Sequence, residues 1–298
     1  LTKHIGKALT YLLQTCLGYI YLEPIFQMIS KALMSPADVI NPSIEWLAKS
    51  PTLSNFKVAA NVLKIPGSLV NSIGFSALLA LLQTFVAAMT GYGLSRFRFR
   101  GKNFWFVMIL LAFILPTALL MIPRLIIFIL AQQGTGIQFL GTAIPQVLMA
   151  ISGQGVNSTI LILICWNFFN LVPYSLDEAA MIDGADPLQT FFHIAVKLSV
   201  STVLIVFLFA FVWNWNETYQ TSTFLGGTMD LLPAKLSVFD SQFEGIANAG
   251  VGSTSNYKIN EAYKMAATLI SIAPLLVLYG FVQKQFIQGI ENTGITGE

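Results

Sequence analysis

The chain of 298 residues is strongly apolar, since 55% of its residues are hydrophobic and only 10% are charged. Soluble domains carry about 25% charged residues, because charge keeps their surfaces hydrated. This composition therefore excludes an ordinary soluble protein and predicts an integral membrane protein, and a net charge of +2 is too small to indicate nucleic-acid binding.

Six segments are apolar over the roughly 20 residues that a helix needs to cross the hydrocarbon core of a membrane. In chain order they are residues 8–30, 69–93, 104–130, 143–170, 195–216 and 266–286. No small-residue cleavage site follows the first segment, so we predict a retained span and not a removable signal sequence. The predicted fold is all-α: a polytopic membrane protein with six transmembrane helices, forming a single domain over residues 1–298.

Basic residues near span ends predict the orientation, because cytoplasmic loops carry an excess of lysine and arginine. A dense group lies in the short loop after the second span, and two lysines precede the first: Arg96, Arg98, Arg100 and Lys102, with Lys3 and Lys7. An even number of spans puts both ends of the chain on one side. We therefore predict that both termini, and the loop between spans four and five, are cytoplasmic.

Arg124 is the most exceptional polar residue within the predicted spans. An arginine at the centre of a transmembrane helix costs roughly 2.5–3.5 kcal/mol on insertion scales. Two interpretations stay open: the side chain snorkels to the interface or pairs within the protein, or it lines a substrate cavity.

Other polar and aromatic residues lie towards the outer halves of spans four and five. They are Gln146, Gln154, Asn157, Trp213, Asn214 and Asn216. Gln154 stands within a predicted helix break, Gly153-Gln154-Gly155. Amides and aromatic faces suit a carbohydrate, although tryptophans also form the belt at the lipid interface and small polar groups also serve helix packing.

Residues that commonly carry chemistry are scarce. Cys16 and Cys165 lie in apolar runs without metal-ligand spacing and are interpreted as packing residues. The two histidines are too few for a multi-histidine metal site. The sequence contains no G-x-x-x-x-G-K-[ST] phosphate-binding loop, no H-E-x-x-H and no G-x-S-x-G. We therefore expect no metal, no cofactor and no catalysis on this chain.

Four of the fourteen acidic residues fall within ten positions between spans four and five, in the stretch PYSLDEAAMIDGADP. Ser175 and Glu178 have the spacing of a capping box, and Gly184 suits the left-handed end of a helix. Asp186 is predicted to cap a second helix, which has a proline at its first position. The product is a helix-turn-helix over residues 173–194, here called the elbow, across the cytoplasmic ends of the spans.

The elbow carries a pattern that resembles the EAA loop of ABC-importer permeases: Glu178-Ala179-Ala180 followed by Gly184. The wider chain resembles the maltose-type permeases of carbohydrate importers, in particular the smaller, six-span partner. The resemblance extends over TLSNFKVA, NSIGFS, GYGLSRFRFRGKNF, WNE and QKQFIQGIENTGITG. Lys197 and Ser201 stand where that family usually has prolines, so we expect the second elbow helix to run more continuously into span five.

This resemblance implies a non-catalytic permease subunit of an ATP-driven bacterial importer for a sugar or oligosaccharide, in the plasma (inner) membrane. The elbow would be the coupling helix that docks on a cytoplasmic ATPase. There Glu178 would meet a basic group, and Ala179 and Ala180 would allow close approach. The residues implied in coupling are Glu178, Ala179, Ala180, Asp183, Gly184 and Asp186.

The implied partners are a second homologous permease, two ATPase subunits that bind ATP and magnesium, an extracytoplasmic solute-binding protein and the lipid bilayer. The resemblance also implies that the polar tail, Gln288–Glu298, reaches between the ATPase subunits. Two alternatives remain, an importer permease for a non-sugar solute and a stand-alone secondary transporter. The chain shows no internal repeat of the kind that secondary transporters usually carry.

Overall fold

The structure, a computed structural model, describes residues 2–44, 46–249 and 257–294. Within these ranges the secondary structure is helical and contains no strand, which confirms the predicted all-α class. The chain forms two compact units, Leu1–Ser68 with Lys235–Leu276 and Leu69–Ala234 with Val277–Glu298.

Long helices alternate with short ones along the chain. In order, they are α1 (Thr2–Leu33), α2 (Pro36–Ile40), α3 (Ser54–Val62), α4 (Gly67–Arg96), α5 (Lys102–Ile114), α6 (Thr117–Thr135), α7 (Ile144–Ile151), α8 (Ser158–Leu171), α9 (Tyr174–Ile182), α10 (Pro187–Thr190), α11 (Val196–Leu198), α12 (Val200–Asn216), α13 (Tyr219–Leu225), α14 (Leu232–Ser237), α15 (Phe239–Ala249) and α16 (Tyr257–Gly294). A π-helical turn, Phe191–Ala195, lies between α10 and α11.

Among the described residues, three helical segments are long and apolar enough to cross a membrane: Gly67–Arg96, Thr117–Thr135 and Glu261–Gln283. Two bent pairs raise the total to five if each pair is one span: Ser158–Leu171 with Tyr174–Ile182, and Pro187–Leu198 with Val200–Asn216. The predicted first span is one continuous helix, α1, but it is not among these segments. Gln14, Glu23 and Pro24 interrupt its apolar run.

The predicted third and fourth spans are each divided in the structure. Leu115 and Pro116 separate α5 from α6, because a residue before proline is pushed into an extended conformation. The predicted glycine break separates α7 from α8, and Gly153 there has a φ of +73°. These breaks interrupt two apolar helices, and the polar side chain of Gln154 lies in the second of them.

In the unit of residues 1–68 and 235–276, buried polar contacts fix the helix ends. The buried Asn55 amide donates to the carbonyl oxygens of Ala32 and Met34, both at 2.8 Å, which holds α3 against the end of α1. Lys31 forms an ion pair with Glu261 of α16.

In the unit of residues 69–234 and 277–298, α4 packs against α7 near one end and against α8 near the other. Phe75 and Leu79 of α4 form a buried cluster with Ala150 of α7 and with Leu225 and Leu231. Towards the other end of α4, the absence of a side chain at Gly91 lets the helix approach α8 closely.

The helices keep large apolar side chains on their outer surfaces. On α5 and α6, Ile114 is 72% exposed and Ile122 is 67% exposed. Extended apolar patches of this kind mark membrane or protein interaction surfaces, and they fit a multi-pass membrane protein.

The two cysteines differ in burial. Cys165 is buried as expected, whereas Cys16 is exposed on α1, so the interpretation of Cys16 as a packing residue is wrong.

Candidate functional site

The elbow is formed by α9, a glycine turn and α10, as the local sequence rules predict. Gly184 has a φ of +87°, a left-handed conformation that ends α9 and that glycine adopts without a steric penalty. The Asp186 carboxylate accepts from the backbone N–H of Gln189 at 2.7 Å, and the Gln189 side chain accepts from the Asp186 N–H at 3.1 Å. This capping box starts α10 with Pro187 at its first position.

The capping box predicted for the first helix of the elbow is wrong. The residue that precedes α9 is Pro173, and no side chain caps the helix. Because α9 already begins at Tyr174, Ser175 lies inside the first turn and its hydroxyl is not placed to accept from the third helical N–H. Glu178 is therefore free of that local role and is exposed.

Asp177 instead forms a buried ion pair with Arg96 at the end of α4. The Arg96 Nε and Asp177 Oδ2 atoms are 2.6 Å apart, and both side chains are more than nine-tenths buried. Arg96 also donates from Nη2 to the Val172 carbonyl at 2.9 Å and lies over the Tyr174 ring. Burial raises the pKa of the Asp177 carboxyl, and the Arg96 guanidinium lowers it by a smaller amount.

Aromatic packing holds the second half of the elbow against the same helix. The Tyr92 ring of α4 lies 5.4 Å from the Phe169 ring of α8 and 5.2 Å from the Phe191 ring of the π-helical turn. Edge-to-face and tilted ring pairs at such separations stabilise packing beyond the area they bury. The elbow is thus joined to the end of α4 at two places, the Arg96–Asp177 pair and the Tyr92–Phe191 contact.

The outer face of the elbow combines acidic and apolar groups. Five of the six residues implied in coupling are exposed on it: Glu178, Ala179, Asp183, Gly184 and Asp186. Ala180 is buried against the protein, since it lies one helical turn from Asp177. Ile182 is 85% exposed, and Met181 and Leu188 are exposed beside it.

The expectation that the second elbow helix runs more continuously into span five is wrong. The segments Pro187–Leu198 and Val200–Asn216 meet at an angle of 85°. The buried Ser199 hydroxyl donates to the carbonyl oxygens of Ala195 at 2.7 Å and Val196 at 3.2 Å. A serine hydroxyl bonded to the preceding turn bends a helix, and here it adjoins a π-helical turn, another recognised site of kinks.

A polar cavity of about 270 Å³ brings together three of the residues predicted for the substrate pathway. Arg124, Gln154 and Asn157 line it, and Arg124 Nη2 donates to Gln154 Oε1 at 3.2 Å. The glycine break between α7 and α8 supplies one wall, and its Gly155 lies directly against the Gln83 side chain of α4.

The other four predicted pathway residues lie outside this cavity. Two of them contact neighbouring helices: Gln146 donates to Thr221 Oγ1 at 3.3 Å, and Asn214 donates to Gln83 Oε1 at 3.1 Å. The other two contact their own helix: the Trp213 ring stacks on the Phe209 ring at 5.4 Å, and Asn216 donates to the Val212 carbonyl at 3.0 Å. Gln146 and Asn214 are buried. Their substrate role remains a prediction.

The structure adds residues that the sequence reasoning did not connect with either site. In the sequence, Arg96 indicates only the orientation in the membrane, and nothing there points to Gln220 and Thr117, which line the cavity. No local pattern links residue 96 with residue 177, so only helix packing reveals that pair. The polar tail, Gln288–Glu298, continues as helix to Gly294, and its side chains and last four residues lie outside the described residues.

Comparison with known proteins supplies an independent line of evidence. Residues 68–292 match the family model described as "binding-protein-dependent transport system inner membrane component". The probable ABC transporter permease protein YurM of Bacillus subtilis is 26% identical over 276 residues, which cover 92% of this chain and 83% of that protein. The galactooligosaccharides transport system permease protein GanQ, also of Bacillus subtilis, is 25% identical over 298 residues, with coverage of 99% and 97%.

A solved structure shares the fold. A chain of a bacterial ABC transporter involved in the import of the acidic polysaccharide alginate aligns with a TM-score of 0.72 and 21% sequence identity. The alignment covers 95% of this chain and 97% of that chain.

Proposed function

The chain belongs to the family of binding-protein-dependent transport system inner membrane components, and from that premise we propose that it is a permease subunit of an ATP-driven bacterial importer for a sugar or oligosaccharide. It forms half of the translocation pathway, and its elbow couples that pathway to a cytoplasmic ATPase. The similarity to GanQ, a galactooligosaccharides transport system permease protein, supports the choice of a carbohydrate.

The observation that carries the coupling proposal is the two-sided construction of α9. Its inner side holds Asp177 and Ala180 against the protein, and its outer side presents Glu178 and Ala179. An exposed carboxylate beside a small side chain and the apolar Ile182 suits a cleft that has a basic group and apolar walls.

In the mechanism that follows, ATP binding closes the ATPase subunits on each other and moves the elbow with them. The Arg96–Asp177 pair and the contact of Tyr92 with Phe191 pass this movement to α4, because buried contacts transmit displacement between packed helices. The ATP and magnesium belong to the ATPase subunits. Both termini are cytoplasmic, and the further partners are a second permease and an extracytoplasmic solute-binding protein.

The proposal is tested by purifying the tagged chain from its native membrane in mild detergent. We expect a co-eluting ATPase and a second permease, and ATP hydrolysis by the purified complex. Glu178→Lys should reduce ATPase association by about 2 kcal/mol or more, roughly thirtyfold, because it places a cation against the basic cleft. Glu244→Lys makes the same change at an exposed residue of α15 and should leave association intact.

Each alternative has its own result. A chain that elutes alone and takes up substrate in liposomes on an ion gradient would overturn the importer in favour of a secondary transporter. A complex that hydrolyses ATP and transports only a non-sugar solute would retain the permease and reject the carbohydrate.

Gly184→Val is expected to uncouple ATP hydrolysis from uptake while the chain still inserts in the membrane. A left-handed conformation costs a residue with a Cβ about 1–2 kcal/mol. A Cβ at this position would meet no packed neighbour within 4 Å, so the expected effect is backbone strain and not a clash within the chain. Gly184→Asn is the matched control, because asparagine tolerates this conformation. Uptake and ATP hydrolysis are measured on one preparation of each variant. Equal uptake per ATP hydrolysed in Gly184→Val and Gly184→Asn would contradict the prediction.

A further inference from the structure

The polar cavity holds a guanidinium without a carboxylate to balance it. Among the described residues that line the cavity, Arg124 is the one basic residue and none is acidic. The Arg124 guanidinium donates to the neutral Gln154 side chain at 3.2 Å. Within the part of the chain that the structure describes, no ion pair involves Arg124.

The position of Arg124 favours the cavity interpretation over snorkelling. Because α6 runs over Thr117–Thr135, Arg124 lies well inside the helix and not near its end. Its side chain contacts Gln154 in the break between α7 and α8, so it extends across to a neighbouring segment of the protein. A charge kept within an apolar helix without a counter-ion is costly, and such residues commonly mark a substrate or ion pathway.

The remaining hydrogen-bonding capacity defines what the cavity can accept. A guanidinium offers five N–H donors in a planar fork, and Gln154 uses one of them. Such a fork matches a carboxylate through two parallel hydrogen bonds. The amides of Asn157 and Gln220 and the hydroxyl of Ser158 stand in the same lining and suit sugar hydroxyls.

We propose that this cavity binds the carboxylate of an acidic, uronate-containing oligosaccharide as it passes through the permease. The inference rests on the proposed function and narrows its substrate class from carbohydrates in general to anionic ones. A volume of about 270 Å³ is at the small end for a ligand site, so the cavity holds one acidic residue of a longer chain. Arg124 acts there as a specificity-determining residue.

The test measures uptake into proteoliposomes that contain the complete importer with its binding protein. The probes are short oligogalacturonates and oligo-alginates, each paired with its carboxyl-reduced form, which keeps the linkages and removes the charge. We expect the wild-type importer to favour the acidic form by at least about tenfold, the effect of one charge-assisted hydrogen-bonded contact.

Variants assign that preference to one side chain. Arg124→Gln should lower uptake of the acidic probe by at least about tenfold, and Arg124→Lys should retain part of it, because lysine keeps the charge but not the fork. Arg98→Gln removes an exposed arginine outside the cavity and should leave the preference unchanged. The amount of assembled complex is measured for each variant. If Arg124→Gln fails to assemble, the inference is tested by the uptake preference of the wild type and by the uptake of the acidic probe in Arg124→Lys.

The outcomes separate this inference from the proposed function. An assembled importer that transports neutral oligosaccharides as well as or better than acidic ones overturns the uronate inference and leaves the proposed function standing. Acidic uptake that is unaffected in Arg124→Gln also overturns it. An assembled, ATP-hydrolysing complex that transports neither form also overturns the uronate inference, whereas a chain that purifies without an ATPase and takes up substrate on an ion gradient overturns the proposed function.

Discussion

Replacing Arg96 with alanine is expected to destabilise the permease by about 3–5 kcal/mol, since it leaves the Asp177 carboxylate buried without its partner. The variant also loses the donor to the Val172 carbonyl at the start of the elbow. We expect a lower melting temperature for the detergent-solubilised complex. In complexes that survive, uptake per ATP hydrolysed should fall, because the elbow is no longer held to α4 by this pair.

Two further variants show whether the ion pair itself is responsible. Arg96→Met combined with Asp177→Leu removes both charges and should recover much of the lost stability, because a buried pair can be replaced by apolar residues at little cost. Arg98→Ala removes an exposed arginine two positions away and should change stability little. A complex with Arg96→Ala that melts like the wild type would show that the pair does not hold the elbow.

Gly91→Ala is expected to destabilise the packing of α4 on α8 by about 1–3 kcal/mol, the usual cost of overpacking. A Cβ at this position would lie 2.6 Å from Cys165 Cβ and 2.7 Å from the Trp166 backbone nitrogen. Backbone atoms cannot rotate away from the added carbon, so the two helices must separate. Thermal unfolding of the solubilised chain measures the loss.

Gly74→Ala is the matched control, because it makes the same change in the same helix. No atom lies within 4 Å of a Cβ at Gly74, so only helix propensity acts there, and alanine is favoured over glycine by up to about 1 kcal/mol. The two variants should therefore move the melting temperature in opposite directions. Equal effects would contradict close packing at Gly91.

Much of the elbow could be predicted because its turns depend on neighbouring residues. The Asp186 cap, the left-handed Gly184 and the glycine break at Gly153 all formed where the sequence placed them. The two failures have different causes. The cap expected at Ser175 is absent because α9 begins one residue earlier, at Tyr174. The bend at Ser199 forms without a proline, because the serine hydroxyl donates to the Ala195 carbonyl.

Composition and local spacing by themselves determined that this is an apolar, all-α membrane protein with a helical elbow, because hydrophobicity, capping and turn formation act over a few residues. Only the tertiary structure decided what the elbow residues do: Asp177 faces inward to Arg96 and Glu178 faces outward, a difference of one position along a helix. It likewise decided that Arg124 meets Gln154, thirty residues away, and that Asn214 meets Gln83 instead. Such contacts depend on how whole helices pack and rotate against each other. This packing results from many weak contacts between distant residues, so a short stretch of sequence does not predict it.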